Sequence, residues 1–224
     1  DVVAASISVG ASTNVAGSLS VAVTLSQNTL TGNARAAIDD SVVVSQAGDI
    51  DVAANSMKSI GAVGVAAAFS LSGSGKIALS GAGSGVDARN ILSNSVAAEI
   101  VNSTATAGGA VSVTADDQSS IMATNVAAAA SVAISGNASL SGVVVITLAE
   151  NILSGTHRAA ISGSDVDALG GGVTVRATAA STIDATSVAV GMSVGGSGGF
   201  GGSVAVSGTI ATNTLTNTVE AVID

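Results

Sequence analysis

The sequence predicts an all-β fold, a tandem-repeat β-solenoid whose coils stack as in a parallel β-helix. One asparagine recurs as Asn28, Asn90, Asn151 and Asn213, at intervals of 62, 61 and 62 residues. Apolar residues alternate with a period of two, which is the pattern of a half-buried strand. The chain is also rich in Val, Ile and Thr, which suit pleated strands. Self-similarity at a fixed interval is typical of repeat architectures.

Composition excludes several classes of protein. The 224 residues are 47% hydrophobic, 9% charged and 1% aromatic, and they include no Cys, Pro, Trp or Tyr. A mean hydropathy of +0.65 argues against disorder, which combines low hydrophobicity with high charge. The net charge of -9 argues against nucleic-acid binding and against electrostatic docking on anionic membranes. No apolar run reaches the roughly 18 residues of a membrane-spanning helix.

The recurring asparagine begins a phrase found in four versions, NTLTGNARAAID, NILSNSVAAEIV, NILSGTHRAAIS and NTLTNTVEAVID. In stacked coils, equivalent positions lie directly above one another. We therefore expect the asparagines to form a hydrogen-bonded ladder and the leucines and isoleucines to form apolar columns inside. The predicted structural ladder comprises Asn28, Asn90, Asn151, Asn213, Ile38, Ile100, Ile161 and Ile223.

A second phrase recurs in the same frame as DIDVAANSMKSI, AVSVTADDQSSI and GVTVRATAASTI, after a turn with Gly48, Gly109 or Gly171. Its alternation predicts a half-buried strand in each copy. Glycines and β-branched residues interrupt the alanine-rich stretches, so we predict no helices there.

A third segment alternates Val65, Ala67, Phe69 and Leu71 with a face of small residues. Small residues would let that face approach another sheet more closely than the usual ~10 Å. A fourth segment returns to the asparagine and carries Leu19, Val21, Val23 and Leu25 in the first copy. The second copy has Gly81, Gly83, Gly85 and Asp87 instead, which predicts a bulge or a register shift.

The chain is predicted to be one repeat array over 1–224, with units at 1–48 (partial), 49–109, 110–171 and 172–224 (partial). We expect it to be a segment of a longer array. Each unit forms either one large rung or about three smaller ones, and the strict recurrence favours the large rung. An antiparallel arm built from the third and fourth segments is an alternative local arrangement. The alternative folds are a β-sandwich or a barrel, neither of which predicts a phrase repeated in frame.

The sequence contains no convincing catalytic motif, and we predict that the chain is not an enzyme and binds no cofactor. A Ser-His-Asp triad would need His157, which replaces Ala34, Val96 or Val219 of the sister copies, and we predict a solvated surface histidine. The GSGK sequence ending at Lys76 lacks the other residues of a phosphate loop, so we predict a hairpin turn. Paired carboxylates can also cleave glycosides, but no acidic pair here lies among the aromatic residues that usually bind sugars, so we predict no glycosidase.

Acidic pairs near turns are the only candidate metal ligands. Asp49, Asp51, Asp165 and Asp167 are weak candidates for calcium, which prefers oxygen ligands. The pairs, which also include Asp39–Asp40 and Asp116–Asp117, do not recur in all copies and match no EF-hand. Solvated turn carboxylates are therefore the expected interpretation.

Together, phrases such as AVSVTADDQSSI and NILSGTHRAAIS resemble the long repeat regions of bacterial filamentous adhesins. These include the leukotoxin-like filamentous adhesins and, more loosely, the filamentous haemagglutinins. The resemblance covers essentially the whole chain but rests on low-complexity residues. It implies a β-solenoid in a secreted or cell-surface protein of a Gram-negative bacterium, exported through the outer membrane by two-partner or autotransporter secretion.

The resulting hypothesis is a structural and adhesive stalk segment of a long surface filament. Its partners would be neighbouring repeats, other copies of the fibre, and a host or neighbouring cell reached through regions outside this segment. The alternative is a self-assembling extracellular fibre or biofilm-matrix subunit, whose ends or faces pair between chains. Calcium binding, or ice binding by the threonines of 212–218, is a further alternative, although the threonine array is not maintained in the other copies.

Overall fold

The structure is a computed structural model that describes all residues from 1 to 224, and it contains fourteen β-strands and no helix. Every strand pair is parallel, so the molecule is a stack of coils and not a closed barrel or an antiparallel sandwich. The strands are β1 (Val2–Ser12), β2 (Val15–Asp39), β3 (Val42–Ser45), β4 (Ile50–Ser56), β5 (Ser59–Ser74), β6 (Ile77–Val101), β7 (Thr104–Ala107), β8 (Val111–Asp117), β9 (Ser120–Ser135), β10 (Ala138–Ser162), β11 (Asp165–Ala168), β12 (Val173–Ala179), β13 (Thr182–Ser197) and β14 (Phe200–Ile223).

Each repeat forms one large rung of the stack. The strands make four sheets: the arm sheet β1-β5-β9-β13, the long sheet β2-β6-β10-β14, the corner sheet β3-β7-β11 and the prism sheet β4-β8-β12. In the long sheet Asn90 pairs with Asn28 on one side and with Asn151 on the other. The prediction of a parallel solenoid is confirmed, and the spacing of about 62 residues corresponds to one coil.

The cross-section of a coil has two parts. In the second coil, β5 runs outward and the first half of β6 returns beneath it; we call this part the arm, residues 59–88 and their equivalents. The second half of β6, with β7 and β8, encloses a three-sided part that we call the prism, residues 90–117 and their equivalents. The two strands of the arm face each other from different sheets and do not pair, so the arm is a two-layer structure.

The prism contains the largest hydrophobic core. Period-two alternation directs Ile100 from the long sheet, Ala105 from the corner sheet and Val111 from the prism sheet into one interior, where none is accessible to solvent. A smaller cluster around Leu92 and Leu153 lies where the arm joins the prism. Burial of each such side chain stabilises the fold by roughly 1.5–3 kcal/mol.

A left-handed residue turns the chain at the corner between the long and corner sheets. Asp40, Asn102 and Gly163 occupy equivalent positions with φ of 45°, 47° and 56°. Asp, Asn and Gly are the residues that tolerate this conformation best. The next residue in each coil is a serine, and the Oγ of Ser103 accepts a hydrogen bond of 3.0 Å from the backbone N–H of Ser41. The corner therefore stacks through the same contact from coil to coil.

In the arm sheet the small residues face inward and the large apolar residues face outward, whereas the long sheet also directs Val86, Val143 and Val145 inward. Ala66 and Ala68 of β5 pack against Ala82 and Val86 of β6, and all four are buried. A Cβ on Gly64 would lie 2.5 Å from Cγ1 of Val86, so the two layers are in close contact there. The small face of the arm sheet lies against the long sheet, a close approach that the small residues allow. The large apolar side chains point to solvent on both outer surfaces of the arm.

The predicted bulge or register shift in the second copy is wrong. The long sheet keeps its register throughout, with Gly81, Gly83 and Gly85 opposite Leu19, Val21 and Val23. These glycines lie on the outer surface, where loss of a side chain removes no core contact. The backbone pairing of the strands is therefore unaffected. The prediction of a hairpin at the GSGK sequence is also wrong. A turn is present there, but it joins β5 to β6, which belong to two facing sheets and are not paired with each other.

Candidate functional site

The recurring asparagines form an unbroken ladder along the stack. The Nδ2 group of Asn28 donates to Oδ1 of Asn90 at 2.9 Å, Asn90 donates to Asn151 at 2.8 Å, and Asn151 donates to Asn213 at 2.9 Å. Asn90 and Asn151 are fully buried. Because each inner amide both donates and accepts, a buried polar group is satisfied only when the coils are in register.

The leucine and isoleucine columns lie on the interior side of the long sheet. Leu92, Leu153 and Ile100 are inaccessible to solvent, and Ile161 is 3% exposed. Ile38 packs against the prism core from the first coil, whereas Ile223 lies in the terminal strand and is 64% exposed. The columns therefore run through the inner coils.

Two serine ladders inside the arm were not predicted from the sequence. The Oγ of Ser80 donates across the arm to the Oγ of Ser70 at 3.0 Å, and the Oγ of Ser18, in the preceding coil, lies 2.7 Å from that of Ser70. In the third coil the Oγ of Ser141 donates to that of Ser131 at 2.9 Å. The signal was present, because these positions are serine in all four coils: Ser8, Ser70, Ser131 and Ser193, and Ser18, Ser80, Ser141 and Ser203.

The prediction that His157 is a solvated surface residue is wrong. Its side chain has no solvent exposure and points to the interior from β10, and Nε2 lies 4.0 Å from Oδ2 of Asp117. Neither ring nitrogen has a hydrogen-bond partner. Leu153 and Ile161 belong to the interior columns, and His157 stands an even number of residues from both, so strand periodicity directs it inward.

Asp117 is held by three donors in this interior. Asn94 donates through Nδ2 at 2.6 Å and Ser119 through Oγ at 2.7 Å, both to Oδ1, while Ser181 donates to Oδ2 at 3.2 Å. A buried carboxylate is tolerated when such hydrogen bonds replace water. We name these interior side chains the junction cluster, comprising Lys58, Asn94, Asp117, Ser119, His157 and Ser181.

Glycine and asparagine alternate along one column of the junction cluster, as Gly32, Asn94, Gly155 and Asn217. The ring of His157 occupies the space beside Gly155, where an added Cβ would lie 2.5 Å from Nε2. The ammonium of Lys58 occupies the corresponding space beside Gly32 and donates to Oδ1 of Asn94. In each coil that has glycine at this position, a basic side chain from elsewhere in the coil fills the space that asparagine occupies in the other coils.

Asp117 and His157 lie inside the stack, where neither side chain is accessible to solvent, whereas Lys58 and Ser181 are partly exposed. The chemistry of the junction cluster is suited to specifying register. A slip of one residue would exchange the inward and outward sets of a strand and bring the carboxylate out of reach of its donors. The arrangement thus supports the alignment of neighbouring coils.

The acidic candidates for calcium do not converge. No group of three or more His, Cys, Asp or Glu side chains is placed to hold a metal ion. Asp165 and Asp167 lie in the corner sheet, whereas Asp51 lies in the prism sheet. Oδ1 of Asp49 accepts a hydrogen bond of 2.7 Å from the backbone N–H of Ala110. This carboxylate therefore stabilises the turn between the corner and prism sheets.

Charged side chains on the outer surface form a network across the coils of the prism. Arg158 pairs with Glu99 at 2.7 Å and with Glu220 at 3.3 Å, and Arg35 pairs with Glu99 at 3.2 Å. Arg89 and Glu150 pair at 2.9 Å near the base of the arm. Such exposed pairs contribute little singly, and their alternating sign favours the native order of coils.

The comparisons with known proteins identify no relative. No family model, no curated protein and no solved structure matches this chain. The chain contains no helix that is long and apolar enough to cross a membrane.

Proposed function

We propose that the chain is a non-catalytic structural segment of a long exported surface filament, in which stacked coils form the stalk. The observation that carries this proposal is the in-register stack, in which all four sheets repeat without a break at intervals of 61 or 62 residues. Further coils of the same kind can be added without changing the cross-section, as expected of a solenoid.

Three features support a mechanical role over a chemical one. The asparagine ladder, the serine ladders and the prism core all connect one coil to the next. The single histidine is enclosed in the junction cluster. The resemblance to filamentous adhesin repeats supports an extracellular location and an adhesive tip in other regions of the filament.

The experiment is immunogold electron microscopy of intact cells that express the parent protein, with antibodies raised against this chain. The proposal expects label on extended filaments outside the outer membrane. A matched sample of permeabilised cells reports any internal pool. Label found only after permeabilisation would overturn the extracellular stalk, whatever the association state of the purified chain.

A further inference from the structure

The outer surface of the arm sheet is apolar across all four coils from residue 3 to residue 11 and at the equivalent positions. The outward positions of this part hold twenty residues, none of them polar or charged: Val3, Ala5, Ile7, Val9, Ala11, Val65, Ala67, Phe69, Leu71, Gly73, Val126, Ala128, Ala130, Val132, Ile134, Val188, Val190, Met192, Val194 and Gly196. Nearer the prism, the outward positions of the same sheet include Thr124, Asp184 and Thr186. We call the apolar part the arm face. Val3, Ile7 and Val9 are each more than half exposed.

Charge is segregated away from the arm face. Residues 2–34, 118–149 and 185–219 contain no charged side chain, and residues 59–86 contain only Lys76, at the tip of the arm. The prism, by contrast, carries the Arg–Glu network. A soluble protein rarely exposes a contiguous apolar surface of this kind unless something covers it.

The area of the arm face matches that of a protein interface. Four strands about 4.8 Å apart and nine residues at about 3.3 Å each give roughly 570 Å². Two such faces in contact would bury about 1,100 Å² in total, above the roughly 1,000 Å² expected of a specific interface. Each additional coil would add area to the same contact.

The chemistry of the chain argues against lipid as the occupant. Anionic headgroups are held by clusters of Lys or Arg, whereas the arms contain Lys76 alone and the chain has a net charge of -9. Membrane interfaces are enriched in Trp and Tyr, and this sequence contains neither.

A second copy of the same chain fits the surface best. The arm face is a parallel sheet in continuous register, so it presents apolar rows at the spacing of the coils. The arm face is not flat. A shallow groove runs beside Ala5, Ala67 and Ala128 and is bordered by Phe69 and Met192. Only another array has rows at the same interval, so that each coil of one meets an equivalent coil of the other.

We propose that two copies of this chain associate side by side through their arm faces, with the same surface used by both partners. Such an isologous contact closes as a dimer. The proposal goes beyond the stalk function and does not depend on where the filament is located. It identifies which surface would join neighbouring filaments into a bundle.

The experiment is sedimentation velocity of the whole chain over a range of concentrations, for the natural sequence and two variants. Phe69→Glu places a charge in the arm face, at a position 39% exposed. Ile146→Glu is the matched control, 45% exposed on the opposite outer surface of the arm. We expect a dimer for the natural chain and for Ile146→Glu, and a dissociation constant raised about a hundredfold or more for Phe69→Glu.

Circular dichroism must show the same strand content in all three proteins. A second pair, Val190→Glu on the arm face and Val206→Glu on the opposite surface, both 55% exposed, repeats the comparison in another coil if Phe69→Glu fails to fold. A chain that is monomeric at every concentration would overturn the proposal. So would a dimer that survives both arm-face substitutions, which would be pairing through open strand edges or through the opposite outer surface of the arm. A monomer that floats with phosphatidylcholine vesicles would overturn it as well.

Discussion

Nε2 of His157 lies 4.0 Å from Oδ2 of Asp117, and neither side chain is accessible to solvent. The equivalent positions in the sister coils are Ala34, Val96 and Val219, so the histidine is a local departure inside a repeating interior. Its ring fills the space beside Gly155, which has no side chain of its own. The histidine and the glycine are therefore coupled by volume.

This coupling predicts a non-additive pair of substitutions. Gly155→Ala should lower the free energy of unfolding by about 1–3 kcal/mol, because its Cβ would crowd His157. In a His157→Val background the same change should cost much less, because the ring is gone and only Oδ1 of Asn217, 3.0 Å from the added Cβ, has to shift. Denaturant unfolding of the two single variants and the double variant measures the coupling. Equal effects of Gly155→Ala in both backgrounds would show that the ring does not occupy this space.

The asparagine ladder predicts a graded loss of stability. Asn151→Leu should cost about 2–4 kcal/mol, because it removes two hydrogen bonds and leaves the buried amide of Asn90 without an acceptor. Asn213→Leu removes one bond and leaves only the Nδ2 group of Asn151 without its acceptor, so it should cost about half as much, 1–2 kcal/mol. Chemical denaturation provides the comparison. Equal midpoints for the two variants would contradict a cooperative ladder.

The isoleucine column predicts that the loss of stability caused by an introduced charge depends strongly on its position in the column. Ile161→Asp would bury an unpaired carboxylate in the prism core and should destabilise the array by about 4 kcal/mol or more. Ile223→Asp changes an exposed residue of the same column and should remain within about 0.5 kcal/mol of the natural chain. Thermal melting tests both. A melting temperature unchanged by Ile161→Asp would mean that the column is not interior.

Two glycines on opposite sides of the second arm predict opposite effects of the same substitution. Gly64→Ala should destabilise the arm, because its Cβ would lie 2.5 Å from Cγ1 of Val86 in the packed layer. Gly83→Ala should stabilise by about 0.4–1 kcal/mol, because its Cβ would meet no atom closer than 3.9 Å and the unfolded chain loses freedom. Destabilisation by Gly83→Ala would indicate a bulged strand after all.

The scattered acidic residues predict no stabilisation by calcium. A specific site that is saturated at a hundred times its dissociation constant would add about 2.7 kcal/mol to the free energy of unfolding. We expect the melting temperature to be the same in millimolar calcium and in chelator, with magnesium as the control cation. A rise with calcium alone, abolished by Asp49→Asn or Asp165→Asn, would establish a site.

The repeat interval and the alternation were sufficient to predict the parallel stack and the asparagine ladder, and they favoured one rung per repeat over three smaller ones. Ladders are readable because stacking places chemically identical residues together. The orientation of the arm was not readable in the same way. Val65 and Ala66 are both apolar, so alternation separates two faces without indicating which one is buried. Close approach of the two layers decides it in favour of the small residues.

The junction cluster was missed for a different reason. Asp117 continues the inward phase of Val111, Val113 and Ala115, just as His157 continues that of Leu153. Strand periodicity alone would have directed both inward. The expectation that charged residues lie outside prevailed, although buried carboxylates occur wherever hydrogen-bond donors surround them.

One rung per repeat has a mechanical consequence. A strand of 25 residues spans about 80 Å, whereas each coil advances the axis by only about 4.8 Å. A longer array of such coils would be a broad, thin ribbon, and bending across its thin dimension would be far easier than bending in its plane. Such an array would yield to flow from one direction and stay stiff against flow at right angles to it.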